Sequence, residues 1–255
     1  MNIKDGAIAF IKEYFEKNGD ANTKAIIGVS GGKDSSVVTA LCCEALGKER
    51  VVGVMMPNGI QKDIDDSQRL CSFLGIENYT VNINDAYKGL SGAISSALNK
   101  PQLTDQFSTN TPSRLRMATL YGVAAMLGNA RISCNGNLSE RLAGFYTLWG
   151  DGAGDFAPLA HLYVSEVVQL GLDLGLPKEL VKKAPSDGMC GMTDEEKLGF
   201  TYDELEKVAR GKTNGMSPER VASISSRVKG FAWKRALLNL PCYVPEGFIP
   251  PVVCS

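Results

Sequence analysis

The sequence predicts an α/β fold in which a parallel sheet carries helices on both faces. The first observation is that short apolar runs alternate with longer segments of helical periodicity up to about residue 134. The second is that a helical segment separates each strand from the next, as crossovers between parallel strands require. The third is length, since 255 residues are fewer than two domains of roughly 150. We therefore expect one domain over 1–255, with a core at about 20–185 and a helical segment and tail at about 194–255.

The predicted elements follow in order along the chain. Short apolar runs bounded by turn signals are predicted to be strands at 25–29, 50–56, 79–83 and 131–134. Segments with apolar residues at helical spacing are predicted to be helices at 2–17, 35–46, 64–74, 85–98, 113–127 and 165–174. Glycines crowd the stretch 144–154, which favours an irregular loop with a functional role.

Capping signals dominate the last quarter of the chain. Thr193 and Thr201 each precede a glutamate by three residues, the spacing of a capping box. Ser217 followed by Pro218 predicts a helix that runs to about residue 237. The tail at 241–255 contains four prolines and is predicted to be extended.

Composition excludes several kinds of protein. His161 is the single histidine, so a two-histidine zinc site is impossible, and we expect a structural, hydrogen-bonded role for it rather than that of a general base. Seven scattered cysteines without a C-x-x-C pair indicate reduced thiols in a cytoplasmic protein. A net charge of −1 gives no basic field for nucleic acid, and no apolar run is long enough to span a membrane.

The segment 30–36 has the composition of a phosphate-binding loop between a strand and a helix. Its two glycines let the backbone approach an anion, and the N–H groups of the following helix would point at that anion. Further donors and positive charge come from Ser30, Ser35, Ser36 and Lys33, around the glycines Gly31 and Gly32. The alternative is a plain Gly-Gly turn, which does not require these polar neighbours.

The presence of Asp34 in this loop indicates that a divalent cation binds there. A carboxylate would repel phosphate unless a cation such as Mg²⁺ lay between them. The loop is not a Walker A motif, because Gly28 and Gly32 enclose three residues rather than four and Asp34 follows Lys33.

The loop S-G-G-x-D-S resembles the pyrophosphate loop of the ATP pyrophosphatases, which cleave ATP between its α and β phosphates. Within that superfamily, five further segments resemble the ammonia-dependent NAD⁺ synthetases, in order along the chain. These segments are 57–67 (PNGIQKDIDDS), 110–117 (NTPSRLRM), 136–140 (GNLSE), 150–155 (GDGAGD) and 183–199, with KAPS and TDEEKLG at its ends.

The resemblance implies an adenine nucleotide alpha hydrolase-like (Rossmann-like) fold and a specific reaction. The nicotinate carboxylate of deamido-NAD⁺ would be adenylated by ATP, and ammonia would attack the acyl-adenylate to give NAD⁺ and AMP. ATP as co-substrate, Mg²⁺ and a homodimer with substrate sites at the subunit boundary are implied as well. The glutamine-using members carry an extra nitrilase-like domain of some 250 residues, for which this sequence has no room, so we expect free ammonia or ammonia from a separate chain.

The resemblance also assigns residues. Asp34 and Glu140 would hold Mg²⁺, and Arg114 and Arg116 would contact deamido-NAD⁺ and a phosphate. The alternatives are a helix N-terminal charge for Glu140, which follows Ser139, and a solvated helix face for the arginines. The predicted nucleotide-binding set is Gly28, Ser30, Gly31, Gly32, Lys33, Asp34, Ser35, Ser36, Asn135 and Ser186.

Four more residues are assigned, three of them with an alternative. Asp155 would contact the dinucleotide, and Asp151 is a candidate for deprotonating ammonium or for bracing its glycine-rich loop. Ser186 would touch ATP or form a Pro-Ser turn. Lys234, before Arg235, is similar to the lysine of a C-terminal H-K pair in the family, although basic residues are common at helix C-termini.

The chain departs from the family pattern at several substrate-contacting positions. Leu148 and Val164 stand where two lysines are expected, Asn135 replaces a threonine, and Trp233 replaces the histidine of the H-K pair. Trp149 is a candidate for stacking on a base or on nicotinate, or else a core residue. These departures indicate a divergent subgroup and leave two other functions open: another AMP-forming ligase of this superfamily, or an ATP-sensing module.

Overall fold

Four parallel strands form one sheet in the computed structural model, which describes residues 2–61, 64–182, 193–236 and 242–251. The strand order is β3-β2-β1-β4, and all three neighbouring pairs are parallel. The strands are β1 (Lys24–Gly28), β2 (Val51–Met55), β3 (Glu77–Thr80) and β4 (Ala130–Ile132). The predicted parallel α/β class is confirmed.

Helices connect the strands and follow them. The first five are α1 (Ile3–Asn18), α2 (Lys33–Leu46), α3 (Ile64–Leu74), α4 (Asn84–Leu98) and α5 (Asp105–Leu127). The shorter ones that follow β4 are α6 (Leu138–Ala143), α7 (Val164–Asp173), α8 (Lys178–Val181), α9 (Asp194–Leu198), α10 (Tyr202–Ala209), α11 (Pro218–Gly230) and α12 (Ala232–Ala236). None of the helices in the described ranges combines the length and apolar character needed to cross a membrane.

The two faces of the sheet pack against different helices, because successive strand residues point to opposite sides. Ala25 and Ile27 of β1 join a cluster with apolar residues of α1, α2 and α7. Ile26 joins a second cluster with Met117 and Leu120 of α5. This alternation confirms helices on both faces of the sheet.

A third apolar cluster links the C-terminal helices to α6. Leu142 of α6 packs with Leu205 and Val208 of α10 and with Ile224 and Val228 of α11. The helical segment that the sequence places after residue 193 is therefore fixed onto the short helix that carries Glu140.

Three predicted boundaries are wrong for identifiable reasons. Helix α5 begins at Asp105 rather than 113, because the Thr104 side chain caps it by accepting a hydrogen bond from the N–H of Phe107 at 3.2 Å, and the helix continues through the buried Pro112. Strand β3 spans Glu77–Thr80 rather than 79–83. All four of its residues are exposed at the sheet edge, so the run of apolar residues does not mark its position. The helix predicted from 218 to 237 is interrupted at Phe231 between α11 and α12.

Candidate active site

The candidate site lies where β1 and β4 end. Strand β1 has β2 on one side and β4 on the other, so the chain leaves the sheet in opposite directions here, a place where open α/β sheets bind ligands. The Asn135 side chain, just after β4, donates a hydrogen bond at 3.1 Å to the Gly28 carbonyl at the end of β1. The predicted nucleotide residue Asn135 therefore bridges the two strands beside the phosphate loop.

The phosphate loop is shaped by Gly31. Its φ is +75°, in the left-handed region, and a Cβ there would lie 3.0 Å from Asp66 Cβ and 3.2 Å from Ser67 Oγ. Only glycine fits both the conformation and the space. Gly32 is the N-cap of α2, which begins at Lys33, two residues earlier than predicted. The unpaired N–H groups of the first turn of α2 therefore sit directly behind the glycines, as anion binding requires.

The serine hydroxyls of the loop mainly hold its shape. Ser35 and Ser36 are buried and donate hydrogen bonds to the Gly32 carbonyl at 3.1 and 2.8 Å. Ser30 is exposed, and its Oγ lies 3.1 Å from Ser35 Oγ. The structure thus leaves Ser30 as the hydroxyl open to a ligand, while the other two brace the loop.

Asn137 forms hydrogen bonds with both Asp34 and Glu140. The amide of Asn137 donates to Asp34 Oδ1 at 2.9 Å, and its Oδ1 accepts from the backbone N–H of Glu140 at 3.0 Å. Glu140 Oε2 in turn accepts from the Asn137 N–H at 3.0 Å, completing a capping box at the start of α6. The two carboxylates predicted to bind a cation are thus brought together by one fully buried asparagine.

The buried charges in this cluster shift one another's pKa values. Burial raises the pKa of Glu140 well above its usual value, and the Asp34 carboxylate raises it further. Lys33 is buried and pairs with Asp34 Oδ2 at 2.7 Å. Burial acts to lower the pKa of Lys33, but the carboxylates of Asp34, Glu140 and Asp194 outweigh it, so this pKa lies above its usual value. The cluster holds an excess of buried negative charge, which favours a cation.

Asp34 and Glu140 could hold a magnesium ion if a bound nucleotide supplied further ligands. Within the described ranges, no group of three or more His, Cys, Asp or Glu side chains is arranged to hold a metal. Asp34 and Glu140 would therefore supply two oxygen ligands and leave the remaining positions to phosphate oxygens and water. Mg²⁺ is commonly bound in that way in nucleotide-dependent enzymes.

The two predicted arginines lie at the same edge of the sheet but differ in burial. Arg116 is half-buried, and its Nε donates at 3.0 Å to the carbonyl of Met56, just after β2. Burial lowers its pKa, while Asp151 acts to raise it. Arg114 is exposed, and its Nε donates at 3.2 Å to the Leu148 carbonyl. A solvated helix face therefore does not describe Arg116.

Asp151 braces the glycine-rich loop. Its Oδ1 accepts hydrogen bonds from Ser113 Oγ at 2.6 Å and from the Thr147 N–H at 2.9 Å, and its own N–H donates to Ser113 Oγ at 2.9 Å. These bonds tie the loop to α5. The contacts favour the bracing role, and deprotonation of ammonium stays a prediction.

Asp155 lies beside β4. Its carboxylate accepts from the Ile132 N–H at 2.8 Å and from the Tyr121 hydroxyl at 2.9 Å. The contact of Asp155 with the dinucleotide stays a prediction. Ser186 lies outside the described residues.

Lys234 fixes a turn close to α6. Its ammonium donates to the carbonyls of Gly144 and Tyr146 and lies 4.1 Å from the centre of the Tyr146 ring. Burial lowers its pKa. Its contact with substrate stays a prediction, while its observed partners belong to the chain itself.

The surroundings of His161 and Trp149 decide between the alternatives that the sequence left open for each: structural residue or general base for His161, stacking or core residue for Trp149. The Nδ1 atom of His161 lies 2.9 Å from the Tyr243 carbonyl, its ring packs edge-on against Phe248, and burial lowers its pKa, as expected for a structural histidine. Trp149 is 59% exposed, so the core reading is wrong. Val164, where the family has a lysine, begins α7 with its N–H bonded to Ser139 Oγ at 3.2 Å.

Sequence reasoning missed three residues of the site. Asn137 lies in the segment 136–140 that resembles the family, but the sequence analysis gives it no role. Asn followed three residues later by Glu is nevertheless a capping-box signal. No sequence signal marks Ser113 as the partner of Asp151. Asp194 is 4% exposed and accepts a hydrogen bond from the Tyr202 hydroxyl at 3.3 Å, and its capping-box position predicts solvent exposure instead.

Known proteins resemble this chain in both sequence and fold. A family model described as NAD synthase matches residues 4–237. The NH(3)-dependent NAD(+) synthetase of Pyrococcus horikoshii is 38% identical over 80% of this chain and 77% of its own length. The enzyme of that name from Methanosarcina acetivorans is 36% identical over 92% of this chain and 95% of its own.

Solved structures agree. The NMN synthetase of Francisella tularensis aligns with a TM-score of 0.81 and 30% identity, covering 91% of this chain and 94% of its own. The NH3-dependent NAD synthetase of Campylobacter jejuni, solved with a nitrate ion, aligns with a TM-score of 0.74 and 27% identity, covering 96% and 98%. With a family model that matches residues 4–237 and relatives 36–38% identical over most of its length, the chain belongs to the NAD synthase family.

Proposed function

We propose that this chain is a carbon–nitrogen ligase that amidates deamido-NAD⁺ with ammonia, converting ATP to AMP and pyrophosphate. The observation that carries the proposal is the pairing of Asp34 and Glu140 through Asn137, beside a glycine loop that exposes the N-terminus of α2. This arrangement offers donors for phosphates and oxygen ligands for a cation at one point. Both are needed when a carboxylate attacks a phosphate of like charge.

The first half-reaction forms a bond between the nicotinate carboxylate and the α-phosphorus of ATP, and the bond from that phosphorus to pyrophosphate breaks. The first-turn N–H groups of α2, the Ser30 hydroxyl and the Lys33 charge would bind the departing pyrophosphate. Asn135 and Ser186 are proposed to contact ATP. Asp34 and Glu140 would hold Mg²⁺, which when bound offsets the negative charge that the phosphates gather.

The second half-reaction replaces AMP by nitrogen. Ammonium first loses a proton, for which Asp151 is the proposed acceptor. Ammonia then attacks the acyl carbon, the bond to AMP breaks, and the nitrogen releases a second proton to solvent as the amide forms. Arg114, Arg116, Asp155 and Lys234 are proposed to hold the pyridine nucleotide. The half-buried Arg116 and exposed Arg114 would supply two guanidinium groups at this edge of the sheet.

Ammonia is the proposed nitrogen donor. With deamido-NAD⁺, ATP, Mg²⁺ and ammonium, the purified chain is expected to release NAD⁺ and pyrophosphate in equal amounts, as enzymatic NAD⁺ detection and a pyrophosphate assay would measure. Glutamine in place of ammonium is expected to give no NAD⁺. NAD⁺ formation from glutamine alone would refute the choice of donor, and no pyrophosphate release under any of these conditions would refute the ligase.

A second substrate is favoured by two observations. The structure of an NMN synthetase aligns with this chain at 30% identity and a TM-score of 0.81. In addition, Leu148 and Val164 stand where two lysines are expected, so two positive charges are absent. Nicotinate mononucleotide lacks the adenosine and second phosphate of deamido-NAD⁺, so a substrate surface with fewer cations has fewer groups to hold. A larger kcat/KM for nicotinate mononucleotide than for deamido-NAD⁺ in the same assay would assign the chain to this substrate.

The homodimer is proposed to form through α4 and α5. These helices and the turn between them carry apolar side chains that stay exposed in the single chain, Leu90, Leu98, Leu103, Tyr121, Met126 and Leu127. An apolar surface of this kind is typical of an interface. Leu98 and Met126 are 62% and 88% exposed, so charging them removes nothing from the core.

Light scattering is therefore expected to give twice the chain mass of 27.4 kDa for the wild type and the single mass for the double variant Leu98→Asp/Met126→Asp. Phe73→Asp on α3, at a residue 56% exposed, is the matched control and should stay dimeric. A double variant that remains a dimer would place the interface elsewhere.

We also propose that residues 1–255 form one domain and that the chain acts in the cytoplasm. Cys42, Cys71 and Cys134 are buried, and burial raises the pKa of each, which keeps them as inert thiols. Such thiols suit the reducing environment of the cytoplasm.

A further inference from the structure

Trp149 is presented to solvent in an unusual way. Every residue from 130 to 150 is buried or half-buried except Trp149, which is 59% exposed. Its φ is +63°, in the left-handed region that side-chain-bearing residues rarely adopt. An exposed tryptophan alone needs no explanation, but one held in a strained backbone on a buried stretch does.

Hydrogen bonds on both sides fix this conformation. The Leu148 carbonyl accepts from Arg114 Nε at 3.2 Å, and the Thr147 carbonyl accepts from the N–H groups of Gly150 and Gly152 at 3.0 and 3.2 Å. Gly150 is pressed onto α5, since a Cβ there would lie 2.3 Å from Ser113 Oγ. The backbone on both sides of Trp149 is thus held by hydrogen bonds within the chain.

The loop lies at the end of β4, beside the proposed nucleotide site. The Cys134 thiol, just after β4, contacts the Asp151 carbonyl at 3.5 Å, and Asp151 is bonded to Ser113 of α5. Arg114, the next residue of α5, is exposed, and its Nε donates the hydrogen bond to the Leu148 carbonyl. An exposed tryptophan therefore directly follows the residue whose carbonyl is bound by an exposed arginine.

This pair has the chemistry to recognise an aromatic ring that bears a carboxylate. An indole offers a flat, electron-rich surface on which an electron-poor pyridinium ring can stack, and a guanidinium attracts the carboxylate. We propose that Trp149 stacks on the nicotinate ring of the pyridine-nucleotide substrate and so fixes the plane in which its carboxylate meets ATP. The inference rests on the proposed function and adds to it a substrate-binding residue.

Fluorescence can observe the stack directly, because Trp149 and Trp233 are the only tryptophans. In a Trp233→Phe background, nicotinate mononucleotide is expected to quench the emission and ATP alone to leave it unchanged. The mononucleotide is the probe because it carries the nicotinate ring and no adenine. The matched variant Trp149→Tyr, which keeps Trp233, should show no such quenching. Quenching by ATP alone, or equal quenching in both variants, would overturn the proposal.

Kinetics separate the ring from the backbone. Trp149→Gly removes the indole while glycine adopts the left-handed φ without strain, so the fold is expected to stay intact by circular dichroism. The KM for the pyridine nucleotide should rise about tenfold or more, as expected for loss of one stacked ring, while the KM for ATP stays within about twofold. Trp149→Tyr should restore most of the loss.

The outcomes distinguish this inference from the proposed function. A wild type that amidates the pyridine nucleotide, with an unchanged KM in Trp149→Gly, would overturn the stacking role and leave the ligase standing. A wild type that neither binds nor amidates a pyridine nucleotide would overturn the ligase itself, and with it the inference.

Discussion

Asp34→Asn is expected to lower kcat by at least about 100-fold while leaving the fold intact. The amide has the size of the carboxylate, but it lacks the charge that a cation between loop and phosphates requires. Lys33, which loses its partner at 2.7 Å, still faces Glu140 and Asp194, so its buried ammonium keeps negative neighbours. Steady-state pyrophosphate release measures the first effect, and thermal unfolding followed by circular dichroism measures the second.

Asp203→Asn is the matched control for this change. Asp203 forms an exposed ion pair with Lys207 at 2.6 Å on α10, and surface pairs of this kind contribute little to stability. Its kcat and melting temperature should therefore match those of the wild type. Wild-type turnover in Asp34→Asn would remove the argument for a cation at this loop.

Asn137→Ala is expected to lose both stability and activity. The side chain is fully buried and joins Asp34 to the first turn of α6, so its removal abolishes a helix cap and leaves Asp34 without its amide donor. We expect a loss of about 2 kcal/mol in the free energy of unfolding, measured by urea denaturation. Activity should fall at least about tenfold, because Asp34 and Glu140 are no longer held against each other.

Asn2→Ala is the matched control, because it removes a helix cap that does not belong to the candidate site. Asn2 caps α1 by accepting a hydrogen bond from the Asp5 N–H at 2.8 Å, and it is exposed. Its replacement should cost about 1 kcal/mol or less and leave kcat unchanged. If Asn137→Ala retained wild-type kcat with a stability loss no larger than that of Asn2→Ala, the positioning role of Asn137 would be wrong.

The parallel sheet could be predicted from the sequence because its central strands are buried on both faces. Strand β2 is buried at all five residues, so its apolar run is unbroken and its position is plain. Strand β3 is exposed at every residue and carries no such pattern, and the prediction missed its start by two residues. Helix α5 begins eight residues before its predicted start, and the buried Pro112 lies inside it, which a long helix allows when packing supports it.

The phosphate loop could be predicted because its chemistry is local. Gly31, Gly32, Lys33 and Asp34 are consecutive, and their roles follow from one strand-to-helix turn. The Asn137 bridge joins residues 103 positions apart, and the bond from Ser113 to Asp151 spans 38. Such pairs depend on which strand ends meet at the sheet edge, and residue type and spacing do not determine that.

A crystal structure with Mg²⁺ and an ATP analogue that carries a methylene between its α and β phosphorus atoms tests the central claim most directly. The β and γ phosphates are expected to lie within about 3 Å of the first-turn N–H groups of α2 and of Ser30 Oγ. The cation should be bound by phosphate oxygens together with Asp34 and Glu140. A nucleotide bound elsewhere, with the loop empty and no cation at these two carboxylates, would contradict the account.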